Sequence, residues 1–164
     1  MKLRHEAPMV LVVAGYDPSG GAGVVADLRA MERRGVLAQG VVSGNTFQND
    51  IAFVGVEWCE ESAFRQLELL VERAEFRAVK IGLVPSLDFL ERLLDRLGEL
   101  RVVAPVVWDP ILTASAGFDF HAEELVRSEV RQRMAALMGR VDLATPNAQE
   151  FRAIFGVDDE GEEE

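Results

Sequence analysis

The sequence contains few of the residues that support covalent or metal-based chemistry in many small proteins. A single cysteine, Cys59, is present among 164 residues. One cysteine rules out an intramolecular disulfide and provides no metal-ligand cluster. Because no histidine that could act as a base lies near it in the sequence, we interpret Cys59 as a structural thiol rather than a nucleophile.

Long hydrophobic runs are also missing. The first ten residues lack the apolar run of a signal peptide. The longest apolar stretch, residues 9–15, has the length of a β-strand and is too short to cross a membrane. We therefore predict a soluble, cytoplasmic protein that does not bind a membrane.

The chain also has no excess of positive charge. The formal net charge is −11 at pH 7, and six of the acidic residues lie in the last seven positions. An acidic chain has no electrostatic reason to bind nucleic acid, so any phosphate must be bound locally by backbone amides, helix N-termini or a metal ion. The hydrophobic fraction of 49% suits one compact domain at residues 1–156, and we expect residues 157–164 to form a disordered acidic tail.

The hydrophobic pattern that is present alternates between short β-branched runs and amphipathic helical stretches. This rhythm predicts an α/β fold with a mostly parallel sheet and helices on both faces. The predicted strands cover residues 10–14, 41–43, 53–58, 78–82, 102–108 and 143–144, and the predicted helices cover residues 23–34, 61–75, 86–97, 122–138 and 146–155. Ligands of such folds bind beyond the carboxyl ends of the strands, so the residues that follow each strand are the candidates for function.

The first strand is followed by the glycine-rich segment GYDPSGGAG at residues 15–23. It is not a phosphate-binding Walker A loop, because Gly21 stands where that motif has its lysine, and it does not contain the G-x-G-x-x-G dinucleotide pattern. The segment suits a strained loop whose backbone approaches a ligand closely. A plain strand-to-helix turn is the alternative, in which Asp27 is an ordinary acidic residue near a helix N-terminus.

Polar side chains follow the later strands as well. The amide pair Gln48-Asn49 suits the edge of a heteroaromatic ring, with a simple polar loop as the alternative. Asp109 directly follows a buried strand and is a candidate metal or phosphate-network ligand, or else a structural acid that caps the loop. Asn147 and Glu150 can face the same site from one helical turn, although helix capping also explains this spacing.

These segments, taken in order, resemble those of the hydroxymethylpyrimidine/phosphomethylpyrimidine kinases, a family of the ribokinase-like superfamily. The family patterns AGxDPSGGAG…ADL, QN, AVKIG, VxDP and TPNxxE are matched by residues 14–28, 48–49, 78–82, 107–110 and 145–150. The resemblance extends from about residue 9 to residue 156. The TPNxxE segment is shared with pyridoxal kinases and other ribokinase-like proteins.

The resemblance implies a kinase that uses ATP and Mg²⁺ to phosphorylate 4-amino-5-hydroxymethyl-2-methylpyrimidine, its phosphate, or both, in thiamine biosynthesis. It implies that the aminopyrimidine contacts Gly15, Ala22, Asp27, Gln48, Leu83 and Ile111. It also assigns Asp109, Asn147 and Glu150 to the magnesium and phosphate network. We therefore expect the loop at residues 15–23, Gln48, Asp109 and Glu150 to converge around one cleft.

Family members continue beyond the matched region into a segment with a glycine-rich anion hole and the catalytic base. We expect this chain to correspond to the N-terminal portion, and no catalytic residue can be named in it. A non-catalytic pyrimidine-binding or regulatory module is the alternative, and a pyridoxal-type kinase is a weaker one. A parallel sheet that is cut short exposes an unpaired edge, so we also predict a homo-oligomer or a pairing with another subunit.

Overall fold

A computed structural model of the chain describes residues 7–112 and 128–156. These residues form a six-stranded sheet in the order β3-β2-β1-β4-β5-β6. The strands are β1 Met9–Tyr16, β2 Leu37–Gln48, β3 Phe53–Trp58, β4 Ala78–Ile81, β5 Val106–Trp108 and β6 Leu143–Ala144. The described helices are α1 Gly23–Glu32, α2 Glu60–Arg73, α3 Leu87–Glu99, α4 Ser128–Met138 and α5 Ala148–Phe155.

All pairings in the sheet are parallel except that between β2 and β3, which is antiparallel. The prediction of a mostly parallel α/β fold is therefore confirmed. β1 lies in the middle, and its residues from Leu11 to Ala14 are buried because both faces of the strand are covered. Leu11 and Val13 pack in the larger core with α2 and α3, whereas Val12 and Ala14 pack with Val24 of α1.

Two strands differ in length from the prediction. β2 covers 12 residues instead of the three at positions 41–43 that were predicted, because its first part pairs with β1 and its last part with β3. Gln48 therefore ends a strand rather than opening a loop. β5 contains only Val106–Trp108, because Pro105 has no N–H to contribute to a ladder and pairing begins after it.

Side chains cap the N-termini of α3 and α5, whereas the first residues of α1 and α2 have no side-chain cap. The Ser86 hydroxyl accepts a hydrogen bond from the Phe89 N–H at 3.1 Å, which confirms the predicted N-cap of α3. Apolar residues recur at helical spacing along α3, and the buried set is Phe89, Leu90, Leu93, Leu94 and Leu97. Part of the predicted helix at 122–138 and the predicted tail at 157–164 lie outside the described residues.

β3 and β6 form the two edges of the sheet. β6 contains only two residues, and Leu143 in it is exposed. The predicted oligomer and the predicted division into domain and tail stay predictions. Over the two described ranges, the model contains no helix with the length and apolar character that a membrane span requires.

Candidate functional site

A cavity of about 420 Å³ opens at the carboxyl ends of the parallel strands. All nine residues that the sequence pointed to line it: Gly15, Ala22, Asp27, Gln48, Leu83, Asp109, Ile111, Asn147 and Glu150. They converge because β2, β1, β4, β5 and β6 run parallel, so that their carboxyl ends meet at one edge of the sheet. The structure thus places these residues together, and their individual roles stay predictions.

Asp17 organises the glycine-rich loop from inside, a role that the sequence reading missed. Its buried carboxylate accepts hydrogen bonds from the Ser19 N–H at 2.8 Å, the Ser19 hydroxyl at 2.8 Å, the Gly21 N–H at 3.1 Å and the Ala22 N–H at 2.9 Å. Burial alone raises the pKa of Asp17, but the hydrogen bonds from Ser19, Ala22 and the Gln48 side chain outweigh it and lower the pKa below its usual value. The loop is therefore folded around an ionised carboxylate.

Close backbone approach explains the last glycine of this loop. Gly23 has a φ of +59°, and a Cβ atom there would lie 2.1 Å from the Gly15 carbonyl oxygen. Any side chain at this position would push the start of α1 away from the end of β1. Gly15 itself faces the Leu83 side chain, where an added Cβ would lie 3.0 Å from Cδ2. The absence of a side chain at Gly23 therefore lets α1 start close to the end of β1, and its absence at Gly15 leaves room for the Leu83 side chain.

Lys80 of β4 supplies the positive charge on the cavity wall, and it is a second residue that the sequence reading missed. Its Nζ lies 2.6 Å and 2.7 Å from the two carboxylate oxygens of Asp27, and 3.9 Å from Asp109. Burial raises the pKa of Asp109, Lys80 lowers it, and the neighbouring Asp27 raises it again, with a net upward shift. The Lys80 ammonium is therefore the cation nearest to both carboxylates, Asp27 and Asp109, in a partly buried space.

Glu150 takes part in helix capping at the start of α5. Its Oε2 accepts from the Asn147 N–H at 2.8 Å, while the Asn147 side chain accepts from the Glu150 N–H at 3.0 Å. The Glu150 Oε1 also lies 3.4 Å from the Leu112 N–H. The capping arrangement considered as an alternative is thus present, and both side chains also line the cavity.

The remaining lining is apolar or uncharged. Phe53 of β3, Leu83 and Ile111 provide apolar surface around the opening. Thr46 is buried and donates its hydroxyl to the Tyr16 carbonyl oxygen at 2.9 Å, which ties β2 to the glycine-rich loop. Apolar walls with a few polar groups at fixed positions suit a small heteroaromatic molecule with hydrogen-bonding edges.

The carboxylates of the cavity also bear on metal binding. Among residues 7–112 and 128–156, no three histidine, cysteine or acidic side chains come together as a ready metal site. Mg²⁺ is usually held by one or two carboxylates together with substrate phosphates and water. Asp109 fits that mode, because its carboxylate lines the cavity and its contact with Lys80 is long, at 3.9 Å. Glu150 fits it less directly, since both of its oxygens already accept from backbone N–H groups.

The fold and cavity define an α/β protein with a small-molecule-sized site at the ends of parallel strands. A family model described as phosphomethylpyrimidine kinase matches residues 17–164. The chain therefore belongs to the phosphomethylpyrimidine kinase family.

Individual relatives agree with the family. A hydroxymethylpyrimidine/phosphomethylpyrimidine kinase of Staphylococcus aureus is 30% identical over 161 residues, which cover 94% of this chain and 55% of that protein. The crystal structure of a phosphomethylpyrimidine kinase from Clostridium difficile superposes with a TM-score of 0.76 at 28% identity, covering 92% of this chain and 65% of that one. The chain thus spans about half of the length of the bacterial relative.

A pyridoxal kinase has the same fold. The structure of the pyridoxal kinase from Staphylococcus aureus in complex with AMP-PCP superposes with a TM-score of 0.75 over 93% of this chain and 54% of that one. At 21% identity, this likeness concerns the fold alone.

Proposed function

We propose that this chain provides the pyrimidine-binding part of a kinase that phosphorylates 4-amino-5-hydroxymethyl-2-methylpyrimidine, its phosphate, or both, with ATP as the phosphoryl donor. The observation that carries the proposal is the single cavity in which all nine candidate residues meet. Family membership supports the reaction type, and the structure of a pyridoxal kinase of the same fold in complex with AMP-PCP supports a nucleotide donor.

The cavity offers suitable partners for each part of this substrate. The aromatic ring would lie between Leu83, Ile111 and the backbone at Gly15 and Ala22, all of which line the cavity. The Gln48 amide presents both a donor and an acceptor to the ring edge, and the Asp27 carboxylate accepts from an exocyclic amine. Asp27 is held in position by the Lys80 ammonium, which contacts both of its oxygens.

Phosphoryl transfer depends mainly on positioning and on neutralisation of charge, so few covalent steps are needed from the protein. Asp109, with Asn147 and Glu150 beside it, would hold Mg²⁺ at the phosphate side of the cavity. A bound Mg²⁺ neutralises charge on the phosphate oxygens. We assign no general base among the described residues.

An assay of ATP consumption tests the proposal. A kinase that contains this chain should consume ATP with the hydroxymethylpyrimidine, and pyridoxal in excess should compete poorly. Gln48→Ala should raise KM for the pyrimidine by about tenfold, because one good hydrogen-bonding contact is worth roughly 1–1.5 kcal/mol. Gln132→Ala, the same change on the exposed face of α4, should leave KM unchanged.

The outcomes separate the alternatives. Tight pyrimidine binding in calorimetry without turnover would favour a non-catalytic binding module. Faster turnover of pyridoxal than of the pyrimidine would favour a pyridoxal-type kinase. If a folded chain neither binds nor phosphorylates the pyrimidine, the proposal is wrong.

A further inference from the structure

One aromatic residue of the cavity wall, Phe53 at the start of β3, is not among the nine predicted contacts. Its side chain is half-buried, whereas Phe47, Ile51 and Val54 of the same hairpin are 54%, 82% and 80% exposed. Among the large apolar residues between positions 47 and 54, Phe53 is thus the one that lines the cavity.

The burial of Phe53 does not come from the apolar cores. In the part of the chain that the structure describes, two clusters of buried apolar residues flank the sheet, and Phe53 belongs to neither. β3 is an edge strand, far from the middle of the sheet. An aromatic ring on such a strand buries further apolar surface when a ligand enters the cavity beside it. Phe53 therefore has the position of a ligand contact rather than that of a core residue.

A short turn holds Phe53 opposite Gln48. The Asn49 side-chain oxygen accepts from the N–H groups of Ile51 at 2.9 Å and of Ala52 at 2.8 Å, and the Asn49 N–H donates to the Ala52 carbonyl oxygen at 2.9 Å. Gln48 and Phe53 are paired directly in the β2–β3 ladder. Directly paired residues present their side chains on the same face of a sheet. The Gln48 amide and the Phe53 ring thus reach the cavity together.

We propose that Phe53 is a specificity-determining residue that packs against the face of the substrate ring while Gln48 contacts its edge, and that Asn49 is the positioning residue of this pair. The inference rests on the proposed function and narrows its substrate class to planar aromatic rings. An aromatic side chain gains from a stacked or edge-to-face aromatic partner beyond the burial of area. A saturated ring of the same size offers only the buried area.

Calorimetric titration with the hydroxymethylpyrimidine measures the contribution of Phe53. Phe53→Leu should weaken binding by about fivefold, because the aromatic contact is lost while an apolar side chain remains. Phe53→Tyr keeps the ring and should bind within about twofold of the unmodified protein. Phe47→Leu is the matched control, since it makes the same change at an exposed position of the hairpin and should leave the affinity unchanged. Equal effects of Phe53→Leu and Phe47→Leu would overturn the inference.

Two substitutions of Asn49 test its positioning role in the same titration. Asn49→Ala removes the acceptor of two N–H groups, so the turn loosens and the affinity for the pyrimidine should fall by about threefold. Asn49→Asp keeps an oxygen that accepts from both groups and should restore the affinity. A folded Asn49→Ala protein with unchanged affinity, or Asn49→Asp binding as weakly as Asn49→Ala, would contradict the role given to this residue.

Two small alcohols test the preference for a planar ring without the pyrimidine. Benzyl alcohol and cyclohexylmethanol carry the same hydroxymethyl group on a planar and on a saturated ring. In NMR titrations at millimolar concentrations, benzyl alcohol should shift the Phe53 ring signals and bind at least about threefold more tightly than cyclohexylmethanol.

Equal or tighter binding of cyclohexylmethanol, or benzyl alcohol without an effect on Phe53, would show that the inference is wrong. If the hydroxymethylpyrimidine does not bind to the unmodified protein, the proposed function has failed. The comparison of the two alcohols then decides the role of Phe53 by itself.

Discussion

Asp17 follows β1 and Asp109 follows β5 of the same sheet, and both line the same cavity, yet their environments differ. Asp17, after β1, accepts four hydrogen bonds within its own loop, and its pKa is lowered. Asp109, after β5, is desolvated, and Lys80 at 3.9 Å compensates it only in part, so its pKa is raised. Burial disfavours the ionised form of both carboxyl groups. The pKa values differ in direction because Asp17 accepts several hydrogen bonds that stabilise its ionised form, whereas Asp109 has only the distant Lys80 ammonium.

This contrast separates a structural carboxylate from a functional candidate. A carboxylate that is fully satisfied by its own loop contributes to stability and has little left to offer a ligand. A buried carboxylate with few hydrogen-bond donors or cations around it costs stability, and it is stabilised when a ligand brings a cation or a donor. We therefore expect substitutions at Asp17 and Asp109 to affect stability in opposite directions.

Asp109→Asn should give the largest effect, and on activity rather than stability. Phosphorylation of the pyrimidine should fall by about 100-fold, the scale on which the loss of a metal-site interaction acts. The free energy of unfolding should stay the same or rise, because an unfavourable buried charge is removed. Rate measurements and urea unfolding on one preparation check both halves. A clear loss of stability would place Asp109 among the structural carboxylates.

Asp17→Ala should be the most destabilising change in the cavity, at about 2–3 kcal/mol, because several part-buried N–H donors lose their acceptor. Ser19→Ala is the matched control. It removes one hydroxyl from the same network, and we expect a cost of about 1 kcal/mol or less. Urea unfolding at neutral pH measures both. Equal effects of the two changes would show that Asp17 does not organise the loop.

The pH dependence of stability should differ in sign between the two carboxyl groups. The pKa of Asp17 is lowered in the folded state, so its contribution is present above its unfolded value of about 4 and is lost as the pH falls through the folded pKa. Asp109, with a raised pKa, costs stability above its folded pKa, and this cost disappears on acidification.

The difference in free energy of unfolding between the unmodified chain and Asp17→Asn should therefore narrow in acid. For Asp109→Asn, any stability advantage over the unmodified chain should disappear in acid, as unfolding curves across this range would show.

Lys80→Met should give the smallest effect of the series, about 1 kcal/mol of stability, because the ion pair with Asp27 is only partly buried. Lys80→Arg keeps the charge and should cost less. Thermal melts of the two proteins measure the difference. If Lys80→Met and Lys80→Arg destabilise equally, packing of the side chain matters more than its charge.

The sequence allowed the position of the cavity to be predicted because strand ends are readable from β-branched runs and the turns that follow them. It did not show that β2 would begin at Leu37, since residues 37–40 are not β-branched and depend on pairing with β1, or that it would extend to Gln48, since its last residues depend on pairing with β3. The antiparallel direction of β3 likewise follows from its pairing with β2 and cannot be predicted from the residues of β3 alone.

The two missed residues had usable signals. Asp17 precedes Pro18 and Ser19, and aspartate in such a turn commonly accepts hydrogen bonds from backbone N–H groups that follow it. Lys80 is one of only two lysines among 17 basic residues in the chain, and it lies in a strand that is otherwise apolar. Its pairing with Asp27, 53 positions earlier, required the fold, because nothing in the local sequence joins β4 to α1.

The most direct test is an NMR titration of the isotope-labelled chain with the hydroxymethylpyrimidine. We predict shifts concentrated at Gly15, Ala22, Gln48 and Leu83, which come from three different strand ends and meet only in the cavity. Absence of binding would contradict the account. So would shifts centred on the second depression near Arg77 and Arg101, at the opposite end of the strands.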